Sequence, residues 1–187
     1  MIISEKFPTL ETGRLILRQF NESDSTELKG LAGAREIAEG TFVPHPYEEG
    51  FAEEFIDRQY RDYKRGSLIN FAVEIKEMKV LAGSIGISID RKLNQGEMGF
   101  WIGIPYWGRG YCTEAAKAVM DYGFDVQMLD RICAFHFEGN TASGKVLKKI
   151  GMKYEGIKKD EYWHMGKLKD TEHFGIKKSE YQILKRD

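Results

Sequence analysis

Three stretches of the 187-residue chain hold residue types and spacings that can do chemistry. The first is Pro105-Tyr106-Trp107-Gly108-Arg109-Gly110-Tyr111-Cys112-Thr113-Glu114-Ala115, where a strand ends, two glycines follow and a helix opens. Glycines let a backbone approach a ligand, and free N–H groups at a helix start favour anions. The stretch reads as a pyrophosphate cradle, or more plainly as a glycine-rich turn. It is no Walker loop, because no Gly-Lys-Ser/Thr follows, and no Rossmann fingerprint, because Thr113 stands where the third glycine belongs. The second stretch is the strand before it. Alternation puts Met98, Phe100, Ile102 and Ile104 on a core-like face, and Glu97, Gly99, Trp101 and Gly103 on the other. Two glycines there leave space beside a carboxylate, so Glu97 reads as a general base facing a cleft, or as a solvated acid at a strand end. The third is Asn140-Thr141-Ala142-Ser143. Helix capping accounts for Asn140 fully, but less well for Ser143, a weak helix former in the first turn. Downstream, Lys145, Lys148 and Lys149 give a basic flank suited to a phosphate, or simply a solvated helix face.

The elements that must position these residues follow from periodicity. Glu11 to Phe20 reads as a strand with Leu15 and Leu17 pointing inward. A helix begins after Asn21 to Asp24, with Asp24 and Glu27 spaced as a capping box, and runs to Gly33. Thr41 to Pro46 is loop, and Tyr47 to Lys64 is a helix with Phe51, Phe55 and Tyr60 on its apolar stripe, stopped by Gly66. Strands Leu68 to Ile75 and Val80 to Asp90 flank a turn at Lys76 to Lys79, and Gly96 to Ile104 is the next strand. A helix from Thr113 to about Val126, a strand from Arg131 to Phe137 and a helix from Asn140 to Ile150 follow, and Gly151 stops the last. Tyr154 to His164 and Leu168 to Lys177 close the chain as a hairpin. A sheet covered by helices on both faces fits this order.

Composition bounds the function. The size and the lack of a linker or repeat predict one domain over residues 1–187. Apolar residues are 42% and charged residues 30%, which excludes extensive disorder. The net charge of -1 removes the simplest argument for direct nucleic-acid binding or a polybasic membrane anchor. That total averages an acidic first hundred residues, net -4, with a basic remainder, net +3. Cys112 and Cys133 form no disulfide framework. Nothing at the start resembles a signal peptide and no stretch is long enough to span a membrane, so a cytoplasmic protein is the expectation.

Taken together, Gly96-Glu97-Met98-Gly99-Phe100-Trp101-Ile102, the Tyr106 to Ala115 stretch, Asn140 to Ser143, Ile150-Gly151-Met152 and Tyr154-Glu155-Gly156 resemble the GCN5-related N-acetyltransferases (GNAT). More narrowly they are similar to the RimJ/RimL-type branch, which acetylates ribosomal-protein N-termini. Thr12-Gly13-Arg14-Leu15-Ile16-Leu17-Arg18 resembles that branch's opening strand, so the likeness spans about Leu10 to Tyr181. The resemblance implies a mixed α/β GNAT fold, three layers with a mostly antiparallel central sheet of about seven strands flanked by helices. It implies acetyl-CoA as co-substrate, no metal, and an amine acceptor such as a ribosomal-protein N-terminus. Ile102 and Gly103 would pair with the pantetheine arm. The backbone of Trp107, Gly108, Arg109, Gly110, Tyr111, Cys112 and Thr113 would hold the pyrophosphate. Asn140 and Ser143 would approach the pantetheine and the sulfur, and Lys145 flanks them. Pro105 departs from the Gln or Arg that usually opens the loop, which removes a side-chain contact but not the backbone cradle. Where the family often uses a tyrosine beside the departing thiolate, the matching position is Ser143. Glu97 and Ser143 are thus the expected catalytic pair, as base and thiolate partner.

Other combinations carry less. Ser84 sits in Ala82-Gly83-Ser84-Ile85-Gly86, which approximates a nucleophile elbow, but the strand simply continues. Cys133 and His136 fall on opposite strand faces by their odd spacing. An acetyl-cysteine at Cys112 has no base nearby in sequence. Glu161 and His164 on a strand make a poor metal pair, and His45 between two prolines reads as a surface loop residue. A polyamine or aminoglycoside acceptor, and a non-catalytic CoA-binding sensor or scaffold, are the competing readings. The acceptor pocket is expected among the first two helices, the Phe42 to Tyr47 loop and the closing hairpin. Acceptor identity, and whether the chain forms a homodimer, have no readable code.

Overall fold

The computed structural model describes residues 6–185, so the very start of the chain, read above as lacking a leader, lies outside them. Eight strands form one sheet: β1 (Leu10–Glu11), β2 (Leu15–Arg18), β3 (Leu68–Ile75), β4 (Val80–Asp90), β5 (Gln95–Ile102), β6 (Arg131–Phe137), β7 (Lys153–His164) and β8 (Lys167–Lys177). Their order is β1-β2-β3-β4-β5-β6-β8-β7, and every neighbouring pair is antiparallel except β5 and β6. The helices are α1 (Ser25–Ala32), α2 (Arg35–Gly40), α3 (Phe51–Arg65), α4 (Tyr111–Asp121), α5 (Thr141–Lys149) and α6 (Lys178–Leu184).

Alternation along β3 builds two cores. Ile69, Phe71 and Val73 point into a cluster with Ile85, Ile87, Met98 and the α4 residues Ala115 and Val119. Ala72 points the other way, into a cluster with Leu28 and Ala32 of α1 and Ala52 and Ile56 of α3. The sheet is therefore the middle of three layers, as burial on both faces of a central strand requires.

The structure corrects several sequence expectations. The sheet has eight strands, in keeping with the expected seven or so, but the strand expected over Glu11 to Phe20 is broken into two. Thr12 turns the chain: its backbone N–H donates to the Leu15 carbonyl, and the Leu15 N–H donates to its hydroxyl. The short β1 folds back so that Leu10 faces Leu17. The capping box lies one turn earlier than Asp24 and Glu27. The Asp24 carboxylate accepts from the Asn21 N–H and from both guanidinium tips of Arg18, while Glu27 reaches across to the Leu81 N–H. The helix expected from Tyr47 begins at Phe51, after Gly50 at φ 84°, and its buried stripe is Ala52, Ile56, Gln59 and Tyr63. Tyr60 faces solvent. The strand expected to reach Ile104 ends at Ile102, and Ile104–Tyr106 form a tight 3-10 turn containing Pro105. The helix expected from Thr113 starts at Tyr111 and widens into a π turn over Tyr122–Val126. The short α2 and α6 lack a long stripe and had no sequence expectation.

Two features position the site. β5 and β6 pair only at Gln95 with Arg131, Gly96 with Ile132 and Glu97 with Cys133. Beyond Glu97, β6 stays with β8 as far as Phe137 while β5 stays with β4. The parallel pair therefore opens as a wedge. At its root, a Cβ on Gly96 would lie 2.5 Å from Ile87 Cγ2 and 2.8 Å from Leu129 Cδ1. The second feature is the seat of α5. Gly144 lies over the buried His136 ring, so that an added Cβ would meet Nε2 at 2.8 Å. The ring stays put through Nδ1, 3.0 Å from the Phe137 carbonyl, and its packing on Phe174. Gly144→Ala should therefore push α5 off β6 and cost roughly 1–3 kcal/mol, as overpacking does. Chemical denaturation will read this as a lower midpoint with an unchanged m-value.

Candidate functional site

The glycine loop and α4 form one end of the site. Gly108 and Gly110 both have positive φ, 71° and 80°, which L side chains rarely adopt. Gly110 is the N-cap of α4 and has no side chain to cap it. The first intrahelical bond is Glu114 N–H to the Gly110 carbonyl, 3.1 Å. The Tyr111, Cys112 and Thr113 N–H groups are therefore the orphan donors of this terminus, and they carry the positive end of the helix dipole. The contrast with α5 is direct. There Asn140 Oδ1 accepts from the Ser143 N–H at 3.2 Å, so that terminus is already capped. An anion with several oxygens fits the first terminus, where backbone space is open at Gly108.

A residue that sequence reading passed over holds this loop. Arg14, next to β2, donates to Arg109 O at 2.9 Å and to Glu114 Oε2 at 2.7 Å, and its guanidinium lies 4.7 Å from the Tyr111 ring centroid. Its only sequence signal was the Thr12 to Arg18 stretch; Glu114 lies 100 residues away.

Between loop and wedge, the Trp107 indole donates to the Ile102 carbonyl. Gly103 N–H turns the other way, to the Ala82 carbonyl at 2.8 Å. By the alternation of an antiparallel ladder, the polar groups of Phe100 and Ile102 face the open edge of the wedge and those of Trp101 and Gly103 face β4. A Cβ on Gly103 would meet Leu31 Cδ2 at 2.6 Å, so close packing on α1 explains that glycine.

On the opposite side of the sheet lies a cleft of about 740 Å³. Glu97, Gly99 and Trp101 form its floor with Ser84, Gly86 and Ser88 of β4, and α1, α3 and the Phe42 to Tyr47 loop form its walls. Gly99 has no neighbour within 4 Å of a built Cβ, so the floor beside Glu97 is open. The Glu97 carboxylate sits where the wedge begins. Burial, then the Glu97 charge, pushes the Cys133 thiol up to about 11. The Tyr162 phenol is also raised, first by burial and then by Glu161 and Glu97. A polar chain crosses the floor: Ser84 Oγ donates to Asn70 Oδ1 at 3.0 Å, and Asn70 Nδ2 donates to Gln59 Oε1 at 2.9 Å. Ser84 is thus a bonded mid-strand residue and no nucleophile elbow.

The structure brings some expected residues together and leaves others apart. Glu97 lines the cleft; Ser143 and Lys145 do not. The Asn140 amide links the two regions, with Nδ2 2.9 Å from a Cβ built on Gly40, a residue of the cleft rim. Lys145, Lys148 and Lys149 are exposed on α5. The closing hairpin, expected to line the pocket, supports it from behind. Tyr162 stacks on Phe135, and Phe42 contacts Tyr162, His164, Phe135 and Phe137 edge-on. His45 is exposed and does not line the cleft. Glu161 binds Thr171, Lys158 and His173, and His164 turns away to the Ala38 carbonyl at 2.8 Å. Among the described residues no cluster of three or more metal-ligating side chains gathers, and no helix is long and apolar enough to cross a membrane.

Residues 14–153 match the family model described as an acetyltransferase (GNAT) domain. The uncharacterized N-acetyltransferase YoaA of Bacillus subtilis is 30% identical over 173 residues, 92% of this chain and 98% of the relative. The ribosomal protein uS5-alanine N-acetyltransferase of Escherichia coli is 26% identical over 168 residues, 86% of each chain. The solved structure of the ribosomal L7/L12 alpha-N-protein acetyltransferase RimL in complex with coenzyme A superposes with a TM-score of 0.80, covering 91% of this chain and 98% of that one. At 17% identity, that last likeness is one of fold.

Burial pushes the Cys112 thiol up to about 12, which keeps it protonated at neutral pH, although the residue is only half-buried at the surface. Iodoacetamide at pH 8 should therefore leave Cys112 unmodified in the native protein and label it at once in denaturant. Mass spectrometry of the Cys112 peptide distinguishes the two, and rapid native labelling would show that the thiol is available as a nucleophile.

Proposed function

The chain belongs to the GNAT acetyltransferase family, and from that premise we propose that it transfers the acetyl group of acetyl-CoA to a protein N-terminal α-amine by direct attack in a ternary complex. The observation that carries this reading is the wedge. It opens at Glu97, with an anion-ready helix terminus on one side of the sheet and an open cleft on the other. A thioester threaded through it would meet an amine beside a carboxylate.

The residues fit the carrier. The loop from Trp107 to Thr113, with its uncapped terminus, suits a diphosphate, and Lys145 extends the basic flank. The open edge at Ile102 suits the amides of a pantetheine arm, with Gly103 closing the strand and Asn140 near the cleft rim. When bound, acetyl-CoA supplies an activated acyl group whose thiolate leaves.

An amine attacks only when neutral. An α-amine of pKa near 8 is about 10% neutral at pH 7, so freeing it costs about 1.4 kcal/mol, whereas a lysine near 10.4 costs about 4.6 kcal/mol. Glu97, directly or through one water, is a base adequate to the first task. Ser143, in the first turn of α5, offers a hydroxyl to the departing thiolate, and the helix dipole lowers the energy of the negative sulfur. The uS5 enzyme, whose name places its acceptor at a ribosomal protein, supports the choice of acceptor class.

Thiol release from acetyl-CoA, screened against N-terminal peptides, spermidine and an aminoglycoside in parallel, tests the reading. Saturable turnover should appear with the peptides. Turnover only on the small amines would move the acceptor class, and tight CoA binding without turnover on any amine would make the protein a sensor or scaffold. With the active peptide, Glu97→Gln should lower kcat/KM at pH 7 by roughly 10- to 100-fold. That gap should narrow to a few-fold at about pH 9, where the α-amine is already neutral. Unchanged turnover at pH 7 sinks the base assignment. Ser143→Ala should lower kcat by about tenfold and leave the KM for acetyl-CoA near its original value, as loss of one transition-state hydrogen bond does.

A further inference from the structure

The α4 terminus contains a contradiction that Arg14 resolves. Glu114 lies in the first turn of α4, so its carboxylate stands one turn behind the donors that would face a diphosphate. A like charge there repels a polyanion. The carboxylate is instead enclosed. Oε1 accepts from the Thr12 hydroxyl and from the Arg14 N–H at 2.8 Å. Oε2 accepts from Arg14 Nε at 2.7 Å and Nη2 at 2.6 Å. The remaining arm of the fork, Nη1, donates to Arg109 O, and Nη2 stands 3.4 Å from a Cβ built on Gly110. One guanidinium therefore touches Arg109, Gly110, Tyr111 and Glu114, the segment whose left-handed glycines aim the N–H groups.

We propose that Arg14 is a positioning residue for the diphosphate of the acyl carrier: its fork fixes the Arg109–Gly110 turn and its charge cancels that of Glu114, so that the α4 terminus presents a net positive face. This inference rests on the acetyl-CoA reading above. Most of the guanidinium's donors are spent on protein acceptors, so Arg14 acts through the loop and not as a phosphate ligand. The planar fork is essential, because a lysine ammonium cannot hold the Glu114 carboxylate and the Arg109 carbonyl in one geometry.

Calorimetric titration of the full-length protein with acetyl-CoA, and with S-acetylpantetheine, which ends before the diphosphate, tests this. Arg14→Ala should weaken acetyl-CoA binding roughly 10- to 100-fold, the worth of charge-assisted hydrogen bonds. Binding of S-acetylpantetheine should change by less than about twofold, since that ligand has no diphosphate to meet the loop. Arg14→Lys should lose nearly as much as Arg14→Ala. Adding Glu114→Gln to Arg14→Ala should recover roughly fivefold, because it removes the exposed like charge. An Arg14→Lys protein that binds acetyl-CoA like the wild type overturns the proposal. So does an equal loss for both ligands, or a double variant no better than Arg14→Ala. If Arg14→Ala does not fold, as a thermal melt will show, Arg14→Lys and Glu114→Gln alone decide the matter, with Glu114→Gln expected to cost less than Arg14→Lys. A wild-type protein that does not bind acetyl-CoA defeats the acetyltransferase reading itself, whereas wild-type binding with an unaffected Arg14→Ala defeats only the clamp.

Discussion

The parting of β5 from β6 governs the rest of the molecule. Parallel strands ordinarily stay paired, because each unpaired N–H or C=O in a sheet interior costs free energy. Here pairing stops after three positions, and beyond Glu97 the edge of β5 is left without a strand. The Trp107 indole occupies the Ile102 carbonyl, which satisfies one group and leaves an edge still able to take an extended, amide-bearing partner. Such a gap persists only if both strands are held from elsewhere. β5 has a full antiparallel ladder with β4, β6 has one with β8, and α4 and α5 cover the same face. The energy that would close the wedge is offset by two ladders that each strand would have to give up.

The two helices beside the wedge meet charge differently, and the difference is written in their N-caps. α5 satisfies its own first turn through Asn140, so its terminus offers a dipole but few free donors. α4 begins at a glycine and keeps its donors free. That openness weakens the helix locally, since an N-cap side chain contributes about 1 kcal/mol. The Arg14 and Glu114 network, with Thr12, ties the same turn to β2 and compensates by long-range contacts. Electrostatics and loop geometry are in this way one problem, solved by residues 100 positions apart in the chain. The basic excess of the C-terminal half, net +3, says less about the site than where Arg14 places the missing charge.

What was legible in the sequence was what short-range physics sets. β3, β4 and β6 were read to the residue, because alternation is strong and their turns carry clear signals. The glycine loop stood out because Gly108 and Gly110 supply a backbone geometry other residues avoid. The broken first strand was hidden, because there a Thr12 side chain replaces a ladder bond. The six-residue α2 was hidden by its brevity, with one turn too few to show a stripe. The wedge itself has no local signature, since it is set by where two ladders stop. Glu97 was recognisable as a carboxylate beside two glycines, yet its standing at the fork became visible only with Cys133 placed opposite it. The role of Arg14 has no local signal, because its partner Glu114 lies 100 residues away in another layer.

With Glu97 as the proposed base, the amines that the cleft suits are limited as well. On the proposed reading Glu97 takes the proton of the amine, with open floor beside it at Gly99. Such a group closes a gap of about 1.4 kcal/mol readily, and one of about 4.6 kcal/mol only with help from desolvation or a second base. The cleft floor around Glu97 carries the hydrogen-bonded Ser84–Asn70–Gln59 chain, and Glu54, Arg58 and His136 also line the cleft. Its walls carry Phe42, Tyr47, Phe51 and Phe55 together with Glu54 and Arg58. On the proposed reading, a single carboxylate base favours the amine that is cheaper to deprotonate, an α-amine at the end of a polypeptide.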